Sequence, residues 1–427
     1  MDAEGFVSNL HGTNLEDVGI SYFNELVNRS LIQPADKYGQ VCCKVHDMML
    51  DLILSKCAED NFSSVAYTSE DIARLCDRTY KIRRLSLISR ADITSSETIS
   101  WTVSDSTSQV RSLVCFGRCK SIPRLSQLKY IRVLSFECPN SFGDSHLDLT
   151  AISQLFQLRY LKVSEHYYPK LPTEIRGLVH LDTLDVARGS IPSDIEHLPR
   201  LSNLAVGWYG EIGLPERIGI MESLRTLHGF ELQRSSLEAL QGLGNLTNLR
   251  SLKLFNLDDD ECNLLEKAVK FDALVSSIFK LRNLKYLMMR GHHDGITILG
   301  GLPSLVHLEL QVVTFPKEEA VIMSKGLFPV LERLTFLSDE DVIAYLRFEA
   351  GAMPKLQELS LHLRVPQWGG AAPVGMEHLL ALQQISLLVF GTKKESREQV
   401  NLEVQSAFRN AVQLHPRPPS VGITCVL

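Results

Sequence analysis

Apolar residues in the middle of the chain recur at spacings of three, three, three and then two. Leu171-Pro172, Ile175, Leu178, Leu181, Leu184 and Val186 return twenty residues later as Ile191-Pro192, Ile195, Leu198, Leu201, Leu204 and Val206. Leu214-Pro215, Ile218, Met221, Leu224 and Leu227 follow after a further 23. A helix asks for a period of about 3.6 and a half-buried strand for 2. The mixed spacing fits neither alone. It fits a coil in which a short strand alternates with an irregular arc, all inward side chains meeting in one column.

The central apolar position of the strand step can be followed through Leu85, Leu113, Leu134, Leu161, Leu184, Leu204, Leu227, Leu252, Leu287, Leu308, Leu334, Leu359 and Ile385. Intervals of 20 to 35 residues place insertions on the arcs. This is the leucine-rich repeat, with a period of roughly 20–29 residues. The predicted fold is an α/β solenoid, a leucine-rich-repeat horseshoe over 82–395. Two arcs are enlarged, at Asp258–Ser276 and Thr314–Gly326, and Leu264–Val275 has helical spacing. The carboxylates of Asp258-Asp259-Asp260-Glu261 lack the spaced ligands and glycine of a calcium loop, so a solvated helix start is expected there.

The two ends differ from the ladder. Leu15–Ile32 reads as a helix, followed by a hairpin over Leu31–Val45 that turns around Pro34–Gly39. A second helix opens at His46 and Asp47, with Met48, Met49, Leu52 and Ile53 facing a core. Helix, hairpin and helix over 1–60 resemble a small winged-helix domain. Residues 61–81 form a transition with a short helix at Ser69–Arg78, and the Ser- and Thr-rich stretch Ser86–Ser108 reads as a surface loop. At the other end, over 396–427, the stripe Val400, Val404, Ala407, Phe408 and Val412 predicts a helix that caps the last coil, followed by a tail.

Charge narrows the function. Residues 1–60 hold ten Asp or Glu against four Lys or Arg, a net of −6, which equals the formal charge of the whole 427-residue chain. A winged helix that bound nucleic acid would need a basic face, so no nucleic-acid partner is expected. No apolar run approaches the roughly 20 residues of a membrane span. The first twenty residues carry four carboxylates and no apolar segment of a secretory signal,. Nine cysteines without a C-x-x-C pair suggest neither a disulfide framework nor a zinc site,. These features predict residence in the cytoplasm or nucleus. No phosphate-cradling G-x-x-x-x-G-K-[ST], no G-x-S-x-G and no metal-binding histidine cluster occurs,. A binding protein is expected, with no catalytic residues and no metal, and it should not hydrolyse ATP.

Three signatures then point one way: Ala3-Glu4-Gly5-Phe6-Val7 at the start, Val45-His46-Asp47-Met48-Met49-Leu50-Asp51-Leu52 after the hairpin, and a leucine-rich array with "LPxxI" arcs. In this order they resemble the intracellular nucleotide-binding, leucine-rich-repeat disease-resistance proteins of plants. The last helix and His-Pro-rich tail are similar to cereal members of coiled-coil type. The resemblance implies that this is the C-terminal part of a longer immune receptor, whose nucleotide-binding region takes ADP or ATP. It would give His46 a contact to the β-phosphate of ADP, with Asp47 fixing the loop, once the upstream domain is present. Val45 stands where the family motif usually has Met. No cofactor is expected on this chain by itself. The competing reading is a leucine-rich-repeat substrate adaptor of a ubiquitin ligase, against which the winged-helix order argues.

Recognition is expected on the concave sheet. Residues between inward leucines point outward, which selects Tyr160, Lys162, Asp185, Asn203, Lys253, Tyr286, Met288, Arg290, His307, Glu309, Arg333, Glu358 and His362, with Trp208 and Tyr209 at the rim. Tyr, Trp and Arg dominate interface energetics. The implied partners are a pathogen effector or guarded host protein and the receptor's own nucleotide-binding region.

Overall fold

The spacing of three arises from chains of i→i+3 hydrogen bonds. A 3-10 turn closes in three residues, so side chains at that spacing stack on one face. Leu178 N donates to Ile175 O at 2.8 Å and Leu181 N to Leu178 O at 2.9 Å. Leu155 and Leu158 repeat the arrangement with Ile152 and Leu155, both at 2.8 Å. The step of two is the strand that follows. The computed structural model describes residues 7, 15–37, 40–76, 82–88, 109–117, 124–138, 145–207, 212–255, 264–291, 299–312, 321–338, 346–364, 368, 370–390 and 397–426. They fall into two compact units, 1–203 and 204–427.

The first unit opens with α1 (Leu15–Asn28), β1 (Ile32–Lys37), β2 (Gln40–Val45) and α2 (Asp47–Glu59). β1 and β2 pair antiparallel, Ile32 opposite Val45 and Lys37 opposite Gln40, so Pro34–Lys37, expected in the turn, belong to a strand, while Tyr38 and Gly39 lie outside the described residues. β3 (Ser64–Ala66), α3 (Ser69–Cys76), β4 (Arg84–Ile88), β5 (Ser112–Phe116), β6 (Val133–Glu137), β7 (Ser145–Asp148), β8 (Tyr160–Val163), β9 (Tyr167–Lys170) and β10 (Thr183–Val186) follow. β3, β4, β5, β6, β8 and β10 lie side by side, each pair parallel. β7 and β9 form a second parallel pair on the arcs. α3 starts on a reciprocal cap: Asp71 N donates to Thr68 Oγ1 at 3.1 Å, and Asp71 Oδ2 accepts from Thr68 N at 3.0 Å,.

The second unit contains β11 (Asn203–Val206), β12 (Thr226–Glu231), α4 (Leu237–Gly242), β13 (Ser251–Phe255), α5 (Leu264–Ile278), β14 (Tyr286–Gly291), β15 (His307–Val312), β16 (Val321–Met323), β17 (Arg333–Ser338), β18 (Leu346–Phe348), β19 (Glu358–Arg364) and β20 (Gln384–Phe390). A last helix, Arg397–Ala411, leads into β21 (Ser420–Val426). The sheet order is β11-β12-β13-β14-β15-β17-β19-β20-β21, with β16 and β18 paired on the arcs.

Register is the main result. Leu85, Leu113, Leu134, Leu161 and Leu184 are successive partners in the first unit. Leu227, Leu252, Leu287, Leu308, Leu334, Leu359 and Ile385 are successive partners in the second. Every one of these side chains is at most 3% exposed. Each contributes about 1.5–3 kcal/mol of burial. Between coils, one carbonyl accepts two amides of the next: Arg132 N and Val133 N both donate to Arg111 O, at 2.6 and 3.0 Å. Asp194 adds a side-chain tie, its carboxylate accepting from Ile175 N and Arg176 N at 2.9 and 2.8 Å.

The structure corrects the sequence reading at several points. The sheet starts at Ser64, opposite Leu85, and ends at Val421, opposite Ile385, so the ladder runs past 82–395 at both ends. The last helix is therefore an arc, with Val404 and Phe408 fully buried, and β21 is the edge strand. His415 is buried in the following turn, its Nε2 against Leu379 O at 2.9 Å and its Nδ1 accepting from Arg417 N at 3.1 Å. Ser86 belongs to β4, while 89–108 lie outside the described residues, as do Ala3–Phe6 and Asp258–Glu261. The largest miss is α2. No α2 residue is buried; Met48 is 77% exposed and Leu52 51%, so the apolar stripe faces no core among the described residues.

β12 carries a bulge between His228 and Phe230. Gly229 sits there at φ +89°, and a Cβ on it would collide with the Val206 carbonyl. Gly370 has a similar φ of +83° with nothing near its Cβ position. Gly370→Ala should cost about 1–2 kcal/mol of left-handed strain. Gly229→Ala should cost at least about 3 kcal/mol, since the β11–β12 spacing must also open. Urea unfolding of the two variants tests this; equal costs would remove the close approach.

Candidate functional site

The open face of each sheet holds the side chains that alternate with the inward leucines. In the second unit they form a laterally bonded row. Tyr286 Oη donates to Glu309 Oε2 at 2.6 Å, one strand over. The Tyr286 ring meets His307 edge-on, centroids 4.8 Å apart, and Lys253 Nζ lies 5.2 Å from its centroid. His228 lies 6.3 Å from the Tyr286 ring and contacts Ser251 Oγ through Nε2 at 2.7 Å. Arg333 Nε reaches Glu358 Oε2 at 3.3 Å, and His362 packs 5.7 Å from Phe390. The register explains the assembly: Lys253, Met288 and Glu309 are successive partners, as are Tyr286, His307 and Arg333.

Burial tunes these groups. It pushes the Tyr286 phenol well above its usual range, with Glu309 adding to the effect as neighbour and acceptor. His228 falls to about 3 through burial and then the Lys253 charge. His307 falls to about 4 through burial, Arg333 and Lys253, and His362 to about 4 through burial alone. All three imidazoles are therefore neutral at pH 7. Two polar atoms on β15, His307 Nε2 and Gln311 Oε1, are shielded from solvent and have no hydrogen-bond partner among the described residues.

The first unit carries a smaller acidic cluster. Lys162 Nζ lies 3.5 Å from Glu137 Oε1, which also accepts from Ser135 Oγ at 3.2 Å. Burial raises Asp185 despite Lys162, and Glu137 raises it further. Tyr160 rises to about 12 through burial, then Asp185 and Glu137.

Most of the residues expected on this face are on it: Tyr160, Lys162, Asp185, Asn203, Lys253, Tyr286, Arg290, His307, Glu309, Arg333, Glu358 and His362 are all at least partly exposed. Met288 is the exception. It has the outward register but is fully buried, so it has no surface to offer a partner. Trp208 and Tyr209 lie outside the described residues. His228, Glu137 and Gln311 were missed, although the rule that selected Lys253 also selects His228, one residue after Leu227. His46 and Asp47 are exposed at the start of α2. His46 is the N-cap, its Nδ1 accepting from Met48 N at 3.4 Å. Among the described residues no group of three or more His, Cys, Asp or Glu could hold a metal, and no helix is long and apolar enough to cross a membrane.

Residues 109–296 and 291–421 match the family described as Leucine-rich repeat region, and residues 2–53 that described as Disease resistance protein Winged helix domain. The chain is 32% identical, over 97% of its length, to Disease resistance protein RGA5 of Oryza sativa subsp. japonica. The chain belongs to the plant leucine-rich-repeat disease-resistance proteins. Disease resistance protein Pik-2 of the same organism is 30% identical over 72% of the chain, and the Arabidopsis thaliana Probable disease resistance RPP8-like protein 2 is 24% identical over 92%. The matches span 42% of RGA5, 33% of Pik-2 and 42% of the RPP8-like protein. The winged-helix match occupies the segment where a ubiquitin-ligase adaptor would carry its ligase-binding helices. This disease-resistance chain therefore presents a repeat surface preceded by a winged helix.

The depressed histidines give the open face a pH signature. Their folded pKa values lie below the unfolded value, so the unfolded chain binds protons first on acidification. Stability should fall as pH drops from 6.5 towards 4. In His228→Gln with His307→Gln, the drop in melting temperature between pH 6.5 and 4.5 should be clearly smaller. An unchanged drop would mean that neither imidazole is desolvated.

Proposed function

We propose that this chain is the recognition and autoinhibition module of a plant immune receptor. The open face of the repeats takes a protein ligand, a pathogen effector or a guarded host protein, and contacts the receptor's own nucleotide-binding region. The observation that carries the reading is the Tyr286 row. Its aromatic and charged side chains bond sideways across strands and fill no core, and aromatic and Arg side chains of this kind anchor interfaces. The module works by binding, without chemistry of its own, in the cytoplasm or nucleus.

The winged helix contributes to an ADP-dependent switch in the complete receptor. His46 fits a phosphate contact: an Nδ1 that accepts from Met48 N leaves the proton on Nε2, an exposed donor at a helix N-terminus,. Asp47, in the first turn, would hold the loop rather than touch the anion. ADP, when bound, would supply the phosphate charge that ties this subdomain to the nucleotide-binding region.

Leaf expression of the receptor with a nucleotide-binding region ahead of this chain tests the proposal. Losing a charge-assisted bond of about 1.5–3 kcal/mol from the resting form shifts a closed-to-open equilibrium roughly tenfold to a hundredfold. His46→Ala should therefore trigger cell death without a ligand. Tyr286→Ala with Arg290→Ala should leave that response intact and abolish the ligand-triggered one. A quiescent, well-expressed His46→Ala receptor would reduce His46 to a helix cap.

A further inference from the structure

The carbonyl ladder that joins successive coils also aligns the residues that carry it. Arg111 N donates to Arg83 O at 2.7 Å, Arg132 N to Arg111 O at 2.6 Å and Arg159 N to Arg132 O at 2.8 Å. Four arginines from four successive coils therefore stand side by side, roughly 4.8 Å apart, as neighbouring strands do. Each precedes its inward leucine by two residues: Leu85, Leu113, Leu134 and Leu161. The column stops at Asp182, whose N–H reaches Arg159 O at 2.8 Å.

Packing does not account for the exposed members of this column. Arg83 and Arg111 are exposed, and Arg132 and Arg159 are half-buried. Arg83, Arg111 and Arg159 form no salt bridge among the described residues. Like charges carried at strand spacing repel, by up to about 1 kcal/mol per neighbouring pair in water, and Arg83, Arg111 and Arg159 have no ion pair among the described residues to offset it. No carboxylate occurs in the five positions before any of the four leucines. Those positions instead hold exposed Lys129 and large apolar side chains. Tyr130 is 52% exposed and Phe156 59%, and Val179 in the next coil is 45% exposed. A cationic strip thus runs beside an apolar one.

We propose that the arginine column docks an acidic polypeptide segment, one with apolar side chains among its carboxylates. This rests on the reading of the chain as a protein-recognition module and names the chemistry of one partner. Guanidinium groups pair bidentately with carboxylates as well as with phosphates. The adjoining row decides between them. A small polyphosphate leaves Tyr130 and Phe156 unused, and stacked bases need flat faces, which aliphatic Val179 lacks. An extended peptide along the column offers charged and apolar side chains to the two strips at once.

Fluorescence anisotropy on the full chain tests the assignment with a labelled (Glu-Glu-Phe)5 peptide, a labelled dT15 oligonucleotide, and inositol hexakisphosphate as competitor. The peptide should bind saturably and weaken as salt rises. Arg111→Glu with Arg132→Glu should weaken it at least about tenfold, and Tyr130→Ala with Phe156→Ala about threefold or more. Should the charge-reversed chain lose its cooperative melt, Arg111→Gln with Arg132→Gln replaces it, with the same direction expected. Unchanged peptide affinity in the folded arginine variant would overturn the docking strip. Tighter binding of dT15, or full displacement by inositol hexakisphosphate at lower concentration than unlabelled peptide, would overturn the polypeptide assignment. The ligand-triggered leaf response that tests the recognition reading depends on Tyr286 and Arg290 and not on these arginines, so the two readings fail separately.

Discussion

The structure depends on one repeated constraint: the apolar residue at the centre of each strand must meet the same residue of the next coil. Leu252, Leu287 and Leu308 are Cα partners in turn, and all three are fully buried. A coil has no core of its own, so its leucines are dry only when both neighbours are in place. Because side chains in a strand alternate with period 2, a slip of one residue would bring this column to the open face. The shared carbonyl between coils, such as Arg111 O with two donors, fixes the register from the backbone side. The Gly229 bulge is tolerated because it resets the alternation within β12: Phe230 turns inward and Glu231 takes the place opposite Phe255.

From that constraint the open face follows without further instruction. Residues beside the buried leucines are carried outward at a spacing of one strand, so side chains distant in sequence become neighbours. Tyr286 and Glu309 are 23 residues apart and hydrogen-bonded. The scaffold residues and the surface residues occupy separate columns, so the surface can change while the leucines stay.

The repeat was legible in the sequence because its signal is redundant: thirteen anchors report the same geometry, and i→i+3 bonding accounts for the spacing of three between Ile175, Leu178 and Leu181. The arc helix after Leu264 was legible for the same reason, a sustained period. What escaped were properties set by neighbours. Met288 follows the outward pattern between Lys253 and Glu309, yet its side chain is fully buried, which alternation cannot foresee. The apolar stripe of α2 promised burial, and periodicity carries no information on whether a partner element is present. The last strand was hidden because Ser420–Val426 lacks leucine altogether, with Val421 and Ile423 in the inward positions. Which of the two polar residues before the apolar helix caps it was not legible either: Asp47 looked the natural cap, and the structure gives that place to His46.

If stability is local to adjoining coils, damage to one anchor should spread only as far as its neighbours. Hydrogen exchange read by mass spectrometry on Leu287→Ala tests this most directly. A Leu→Ala change in a core costs about 2–5 kcal/mol. The account predicts lost protection in β13, β14 and β15, with the amides of β4, β5 and β6 exchanging as in the unmodified chain. Uniform loss across every strand, or no loss around Leu287, would contradict it.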